Sequence, residues 1–316
     1  MEKDKIIWLD GLRGVACAIV VIAHMISFNP SWGAYASGCG KIGVWLFFLM
    51  SGLLLIYHAK NRFTSINTLL LYYWKKALRL YPIYLVGLVV ALFCGMLASP
   101  ISIIKHIFLI EGVGHFWYMS VIIRFYLIAP IFEWIYLKSK RVFVSVVIVL
   151  AVSVAILLPY NIYPENSIWL IWYIPVFAMG MLMCVGLEWT KNWKDGCYWD
   201  MLVLLGVVFI VMLTPLGRQI LWNIEPSGFL QNKYLLLGGI WCMILFSISK
   251  SVWVKKWLIE AKLLKFIGQI SYSVYVLHFS VMYGLVSHNV NWGLAVLITL
   301  VVSVCGGAAL EERYRC

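Results

Sequence analysis

Apolar runs about twenty residues long follow one another along almost the whole chain, and they leave few folds open. Breaks at Gly, Pro and charged clusters separate ten of them, near 6–28, 42–58, 77–98, 116–137, 142–158, 168–187, 201–215, 234–249, 266–287 and 293–309. A helix of that length, rising about 1.5 Å per residue, matches the hydrocarbon thickness of a bilayer. Of the 316 residues, 63% are hydrophobic and only 12% charged, against about a quarter charged in soluble domains. A water-soluble fold is excluded. The expectation is an all-α, polytopic membrane bundle of about ten transmembrane helices, forming a single domain over 1–316 with no fused soluble domain. The first run carries Asp10 and Arg13 and lacks a small-residue cleavage site, so it reads as a retained span. The seventh run is short and stops at Thr214-Pro215, and 101–110 can be read as an interfacial helix.

Charge sets the expected orientation. The chain has 25 Lys+Arg against 13 Asp+Glu, a net +12. With ten spans and a cytoplasmic amino terminus, 19 basic residues fall on the cytoplasmic side, from Lys3 and Lys5 to Arg313 and Arg315. Only Lys41, Lys105, Arg218 and Lys233 fall opposite, and Arg13 and Arg124 lie within spans. Positive residues are retained on the cytoplasmic side, so both termini are expected there. The eight Cys are scattered without a C-x-x-C pair, which gives no disulfide framework.

An ionisable group in hydrocarbon is expensive, so each one inside a span is a functional candidate. In the first span Asp10 and Arg13 are followed by apolar residues up to His24. Eleven residues return to within about 20° of the same helix face and rise about 16.5 Å, so Arg13 and His24 share a face at different depths. If the hydrocarbon begins at Ile6, His24 is in the outer third; if Asp10 and Arg13 sit at the headgroups, it is near the midplane. At either depth a neutral imidazole can act as general base, although a lone buried His is as often a packing residue.

Three further clusters stand out. Lys75, Lys76 and Arg79 mark the cytoplasmic entry to the third span. They serve either as a plain topological flank or as a phosphate site, with Lys76 and Arg79 on one face and Lys60 and Arg62 able to add to the field. The fourth span opens at His115, Trp117 and Tyr118 and carries Arg124 near mid-depth, followed by Tyr126 and Pro130. Arg124 needs a partner or a wet cavity, and Glu133, about 180° around the helix, cannot be that partner. In the ninth span Ser271, Tyr275 and His278 share a face at i, i+4 and i+7, which suggests a polar cavity.

Taken together these residues resemble the acyltransferase type 3 family of integral membrane acyltransferases, whose members modify cell-surface glycans and some lipids. The resemblance runs along the whole chain. It rests on Leu9-Asp10-Gly11-Leu12-Arg13-Gly14 with His24, on Phe47-Phe48-Leu49-Met50-Ser51-Gly52, and on the basic stretch from Lys75 to Pro82. Trp117 to Leu127 with Pro130, and Ser271 to His278, complete the pattern. Two positions depart from it: Ile122-Ile123-Arg124 stand where many relatives carry two acidic residues, and Glu312-Arg313-Tyr314 lacks the family's proline. Some relatives also carry a fused extracytoplasmic hydrolase-like domain, which is not expected here, so the chain would act alone or with a separate partner.

The resemblance implies an O-acyltransferase, most simply an O-acetyltransferase, in a bacterial cytoplasmic (inner) membrane. Acyl-CoA, foremost acetyl-CoA, would be the donor substrate, its phosphates held by Lys75, Lys76, Arg79 and also Arg13. His24, with Arg13 and Asp10, would be catalytic, taking the acceptor's proton or carrying the acyl group. Arg13 or Arg124 would stabilise the oxyanion. The acceptor, a hydroxyl of a cell-surface or lipid-linked glycan, would meet His115, Trp117, Arg124, Tyr126, Ser271, Tyr275 and His278. Membrane lipids are expected neighbours; nucleic acid, a bound cofactor and a metal are not. A transporter or flippase would also need buried ionisable groups, but neither paired half-helices nor symmetry between the halves is detectable. A purely structural subunit leaves Arg13, His24 and Arg124 without a purpose.

Overall fold

The computed structural model describes residues 7–59, 65–159, 166–226 and 234–314. Lys3, Lys5, Lys60, Arg62, Lys233 and Arg315, counted above by side, lie outside the described residues. The described chain is helical and contains no strand. In order the helices are α1 (Ile7–Ser27), α2 (Gly33–Ala36), α3 (Gly40–Tyr57), α4 (Ile66–Phe93), α5 (Pro100–Ile107), α6 (Trp117–Lys138) and α7 (Lys140–Leu157). They continue as α8 (Ile174–Trp189), α9 (Cys197–Leu213), α10 (Pro215–Trp222), α11 (Tyr234–Lys250), α12 (Lys262–Ser287) and α13 (Trp292–Tyr314). Each expected span coincides with a helix. Among the described residues 8 helices are long and apolar enough to cross a membrane, or up to 9 if the bent pair α9–α10 is one span, while α11 contributes a shorter apolar segment.

One boundary differs from expectation and one agrees with it, each for a local reason. The helix of the third span, α4, starts at Ile66, ahead of the basic cluster, because Ser65 and Thr68 form a capping box; Lys75 and Lys76 mark a charge boundary, not the helix end. The seventh run does break at Thr214, where the Thr214 side chain accepts from Gly217 N and Pro215 starts the next helix. The chain turns there by 85° into α10. The short α5 leaves Ile101 and Ile104 exposed and is followed by exposed Phe108 and Ile110, as an interfacial helix would.

Outward-facing residues such as Val149, Ile156, Leu204, Phe209, Leu297 and Val301 are exposed, a surface suited to lipid. The protein is a multi-pass membrane protein. At its centre α3 is buried on nearly every side.

Glycines set the closest helix crossings. A Cβ at Gly11 would strike the Ile259 carbonyl, one at Gly14 the Leu264 carbonyl, and one at Gly268 the Asp10 carbonyl. Small residues let backbones touch in lipid, where dispersion drives association in place of the hydrophobic effect. Gly52 and Gly180 do the same between α3 and α8.

These contacts also fix the helix senses. Positions 14, 17 and 24 of α1 meet 264, 271 and 278 of α12, so the two run parallel. Positions 80, 87 and 94 meet 272, 276 and 284, so α4 is parallel to both. The α13 helix runs back along α12, with Gly307 at Val274 and Ser273 Oγ 3.2 Å from Glu311 Oε1. The start of α1 and the end of α13 therefore lie at one end of the bundle. Parallel α1 and α12 require an odd number of crossings between them, so α9–α10 and α11 either both cross or both do not.

Candidate functional site

At the end of the bundle where α1 begins and α13 finishes, a cavity of about 200 Å³ opens between α1, α3, α4, α6 and α12. Arg13, Lys76 and Arg79 line it, and among the described residues no Asp or Glu does. Lys76 and Arg79 reach it together because three helical steps keep them on one face. The Lys76 Nζ lies 4.0 Å from the Tyr126 ring centre and 5.8 Å from that of Tyr72. Such aromatic faces steady a cation without neutralising it, so the cavity remains positive. Ser51, Tyr118, Tyr126, Ser271 and Tyr275 supply further polar lining.

A second cluster lies deeper. The His24 Nδ1 is 2.8 Å from His278 Nε2. The two rings are inclined by only 9° with centres 5.2 Å apart, which is the edge-to-edge geometry of an N–H···N bond. His278 Nδ1 lies 2.8 Å from the Tyr275 carbonyl and 3.1 Å from that of Val274. His115 packs against His278 with ring centres 5.5 Å apart; its Nε2 donates to the Val276 carbonyl at 2.9 Å, and its Nδ1 has no hydrogen-bond partner. His24 is seventeen residues into α1, about 26 Å along its axis, so it sits in the last third of that helix.

Tyr275 stands between the two parts. It lines the cavity, touches Tyr118 with ring centres 4.9 Å apart and His278 at 5.8 Å, and donates from its hydroxyl to the His115 carbonyl at 2.7 Å.

Of the residues singled out from the sequence, Arg13, Lys76, Arg79, Tyr126, Ser271 and Tyr275 meet in the cavity, and His24, His115 and His278 meet in the cluster. Others lie elsewhere. Lys75 is exposed and outside the cavity lining. Asp10 sits beside Arg13 electrostatically but not in the lining. Trp117 is buried, stacked on Tyr173 with centres 5.3 Å apart. Arg124 faces a loop junction, donating to the Ile168 carbonyl and, at 2.7 Å, to that of Leu109, beneath the Trp169 ring. Tyr118 and Tyr272, which also line the cavity, fall inside the sequence motifs without an expected site role, whereas nothing in the sequence distinguishes Gly40 from the other glycines.

A second histidine group lies outside the spans. Ser102 Oγ donates to Glu111 at 2.6 Å, His106 Nδ1 donates to the Ser102 carbonyl at 2.7 Å, and Val113 N donates to His106 Nε2 at 3.0 Å. It has the residue types of a hydrolytic triad, but the hydroxyl proton points to the carboxylate and both ring nitrogens are occupied. It closes the loop after α5.

The sequence of this bundle matches a known family along nearly its whole length. The acyltransferase domain matches residues 6–312, and the chain belongs to that family of membrane acyltransferases. Among curated proteins it is similar to the O-acetyltransferase OatA of Staphylococcus aureus strains NCTC 8325 / PS 47 and COL, 24% identical over 343 residues, which covers 97% of this chain and 55% of each relative. The chain thus spans about half the length of the curated relatives it matches. No solved structure matches it.

Proposed function

We propose that the protein transfers an acyl group, most simply acetyl, from cytosolic acyl-CoA to a hydroxyl of a cell-surface or lipid-linked glycan, across a bacterial cytoplasmic membrane. The observation that carries this reading is the pairing, along α1 and α12, of an anion-seeking cavity with a buried imidazole cluster. Arg13, Lys76 and Arg79 present three cations without a lining carboxylate, which suits phosphate. The cationic lining suits the phosphates of the donor at the mouth, with its acyl-bearing arm directed inward.

In the direct route His24 takes the proton of the acceptor hydroxyl as its oxygen bonds to the thioester carbonyl carbon. The carbon–sulfur bond then breaks and His24 returns the proton to the leaving thiolate, giving an ester and free CoA. In the covalent route His24 carries the acyl group between donor and acceptor. Either route needs the donor to pass Tyr275. The relatives' printed activity, O-acetyl transfer, supports the same class of reaction.

The 85° break between α9 and α10 is a feature of transporters, but this break lies away from the cavity and has no second broken helix to match it among the described residues. Proteoliposomes separate the readings: labelled acetyl transfer to a glycan acceptor, abolished in His24→Ala at unchanged expression, supports the enzyme. Solute flux without thioester cleavage supports the transporter.

A further inference from the structure

The hydrogen bonds around His278 determine which nitrogen of His24 is free to react. Both atoms facing His278 Nδ1 are carbonyl oxygens, of Tyr275 at 2.8 Å and Val274 at 3.1 Å. Neither can donate, so Nδ1 carries the proton. A neutral His278 then has its lone pair on Nε2, which lies 2.8 Å from His24 Nδ1. That contact is satisfied only if His24 carries its proton on Nδ1. The lone pair of His24 is left on Nε2.

The start of α3 comes close to that lone pair, and it does so at a glycine. A Cβ at Gly40, the first residue of α3, would lie 2.8 Å from His24 Nε2, closer than side-chain atoms pack. The near-perpendicular ring of Phe279, with its centre 5.0 Å from that of His24, flanks the imidazole.

From this geometry we infer that His278 is a positioning residue that holds His24 in its Nδ1–H tautomer, aiming the basic Nε2 toward the start of α3 beside Gly40, where an added methyl group would crowd the docking acceptor hydroxyl. The inference rests on the acyl-transfer reading and deepens it. It assigns His278 a role different from substrate contact and gives Gly40 a function that no motif marks. During transfer the acceptor proton moves to His24 Nε2, the Nδ1–H stays bonded to His278, and His278 stays anchored on two main-chain carbonyls. A wrong tautomer would present N–H where a lone pair is needed. In other enzymes such an error costs on the order of 10⁴-fold in turnover.

The test uses the full chain in proteoliposomes with acetyl-CoA as donor. His278→Leu removes the acceptor for His24 Nδ1 and is expected to lower kcat on the order of 10²-fold or more, with donor KM within twofold. His278→Gln, whose side-chain oxygen can accept the same bond, is expected to recover most of that loss. Gly40→Ala is expected to lower kcat comparably, again at unchanged donor KM. Solid-state ¹⁵N NMR on histidine-labelled protein reads the tautomer without any turnover. Wild type and His278→Gln should show His24 with Nδ1 protonated and Nε2 bare, and His278→Leu should lose that signature.

A wild type that is active with Nε2 protonated overturns the inference, as does a Gln variant as impaired as the Leu variant. A wild type with the expected tautomer but no transfer overturns the acyltransfer reading instead, so the two failures are distinguishable.

Discussion

The Lys76 ammonium stands 4.0 Å from the centre of the Tyr126 ring, joining the third and fourth spans across the mouth of the cationic cavity. Its neighbour in sequence, Lys75, is exposed and takes no part in the lining. Lys76→Met is therefore expected to raise the donor KM about tenfold, the loss of one charge-assisted phosphate contact at ~1.4 kcal/mol. Lys75→Met should change it less than twofold. Steady-state kinetics at two salt concentrations checks this, because the Lys76 effect should shrink as salt screens the exposed mouth.

Tyr275 separates the cavity from the imidazoles, so its removal should join them. Tyr275→Ala is expected to let water reach the thioester and raise the ratio of acyl-CoA hydrolysis to glycan transfer several-fold. Thiol release compared with labelled product measures that ratio. An unchanged ratio would show that the donor reaches His24 by another path.

Arg124 drew attention as a buried cation, yet its guanidinium binds two loop carbonyls, those of Ile168 and Leu109. Its removal should cost stability more than chemistry. Arg124→Met is expected to destabilise the protein by ~2 kcal/mol, from hydrogen bonds to a charged group, while leaving both KM values within twofold. Thermal unfolding in detergent alongside kinetics distinguishes this from a role in oxyanion binding, which would lower kcat.

His106 gives the loop after α5 a dependence on pH. Burial holds its pKa below the ordinary value, opposed by its bond to the Ser102 carbonyl and by Glu111 at 3.7 Å. In the folded state Nε2 must stay bare to accept from Val113 N. The unfolded chain, with a histidine pKa of about 6.5, therefore takes up the proton first as pH falls. The stabilisation is complete above about 6.5 and declines as pH drops toward the lower folded value. Hydrogen exchange at the Val113 amide, corrected for its intrinsic rate, should show less protection at pH 5 than at pH 7.5. His106→Gln retains an acceptor but does not titrate, so the difference should largely vanish.

Much of this architecture was legible in the sequence because lipid imposes simple demands. Runs of hydrocarbon length predicted every long helix, and Arg13 with His24 was placed on one face by helix geometry alone. What sequence could not show was which groups meet across helices. His278 shared a face with Tyr275 in the reading, but that its far nitrogen meets His24 depends on the parallel packing of α1 and α12, set by Gly11, Gly14 and Gly268. The partner that Arg124 was expected to need is supplied by backbone carbonyls of distant loops, and these leave no trace in residue type. The start of the third helix was missed because basic residues marked the bilayer edge while Ser65 marked the helix end.

The cavity's three cations carry a consequence beyond substrate affinity. Arg13 and Arg79 repel one another, an effect that Asp10 opposes at Arg13, and no carboxylate among the described residues lines the cavity itself. A polyanionic donor would then act as a missing counter-ion, and ligand that binds only the folded state adds to its stability by mass action.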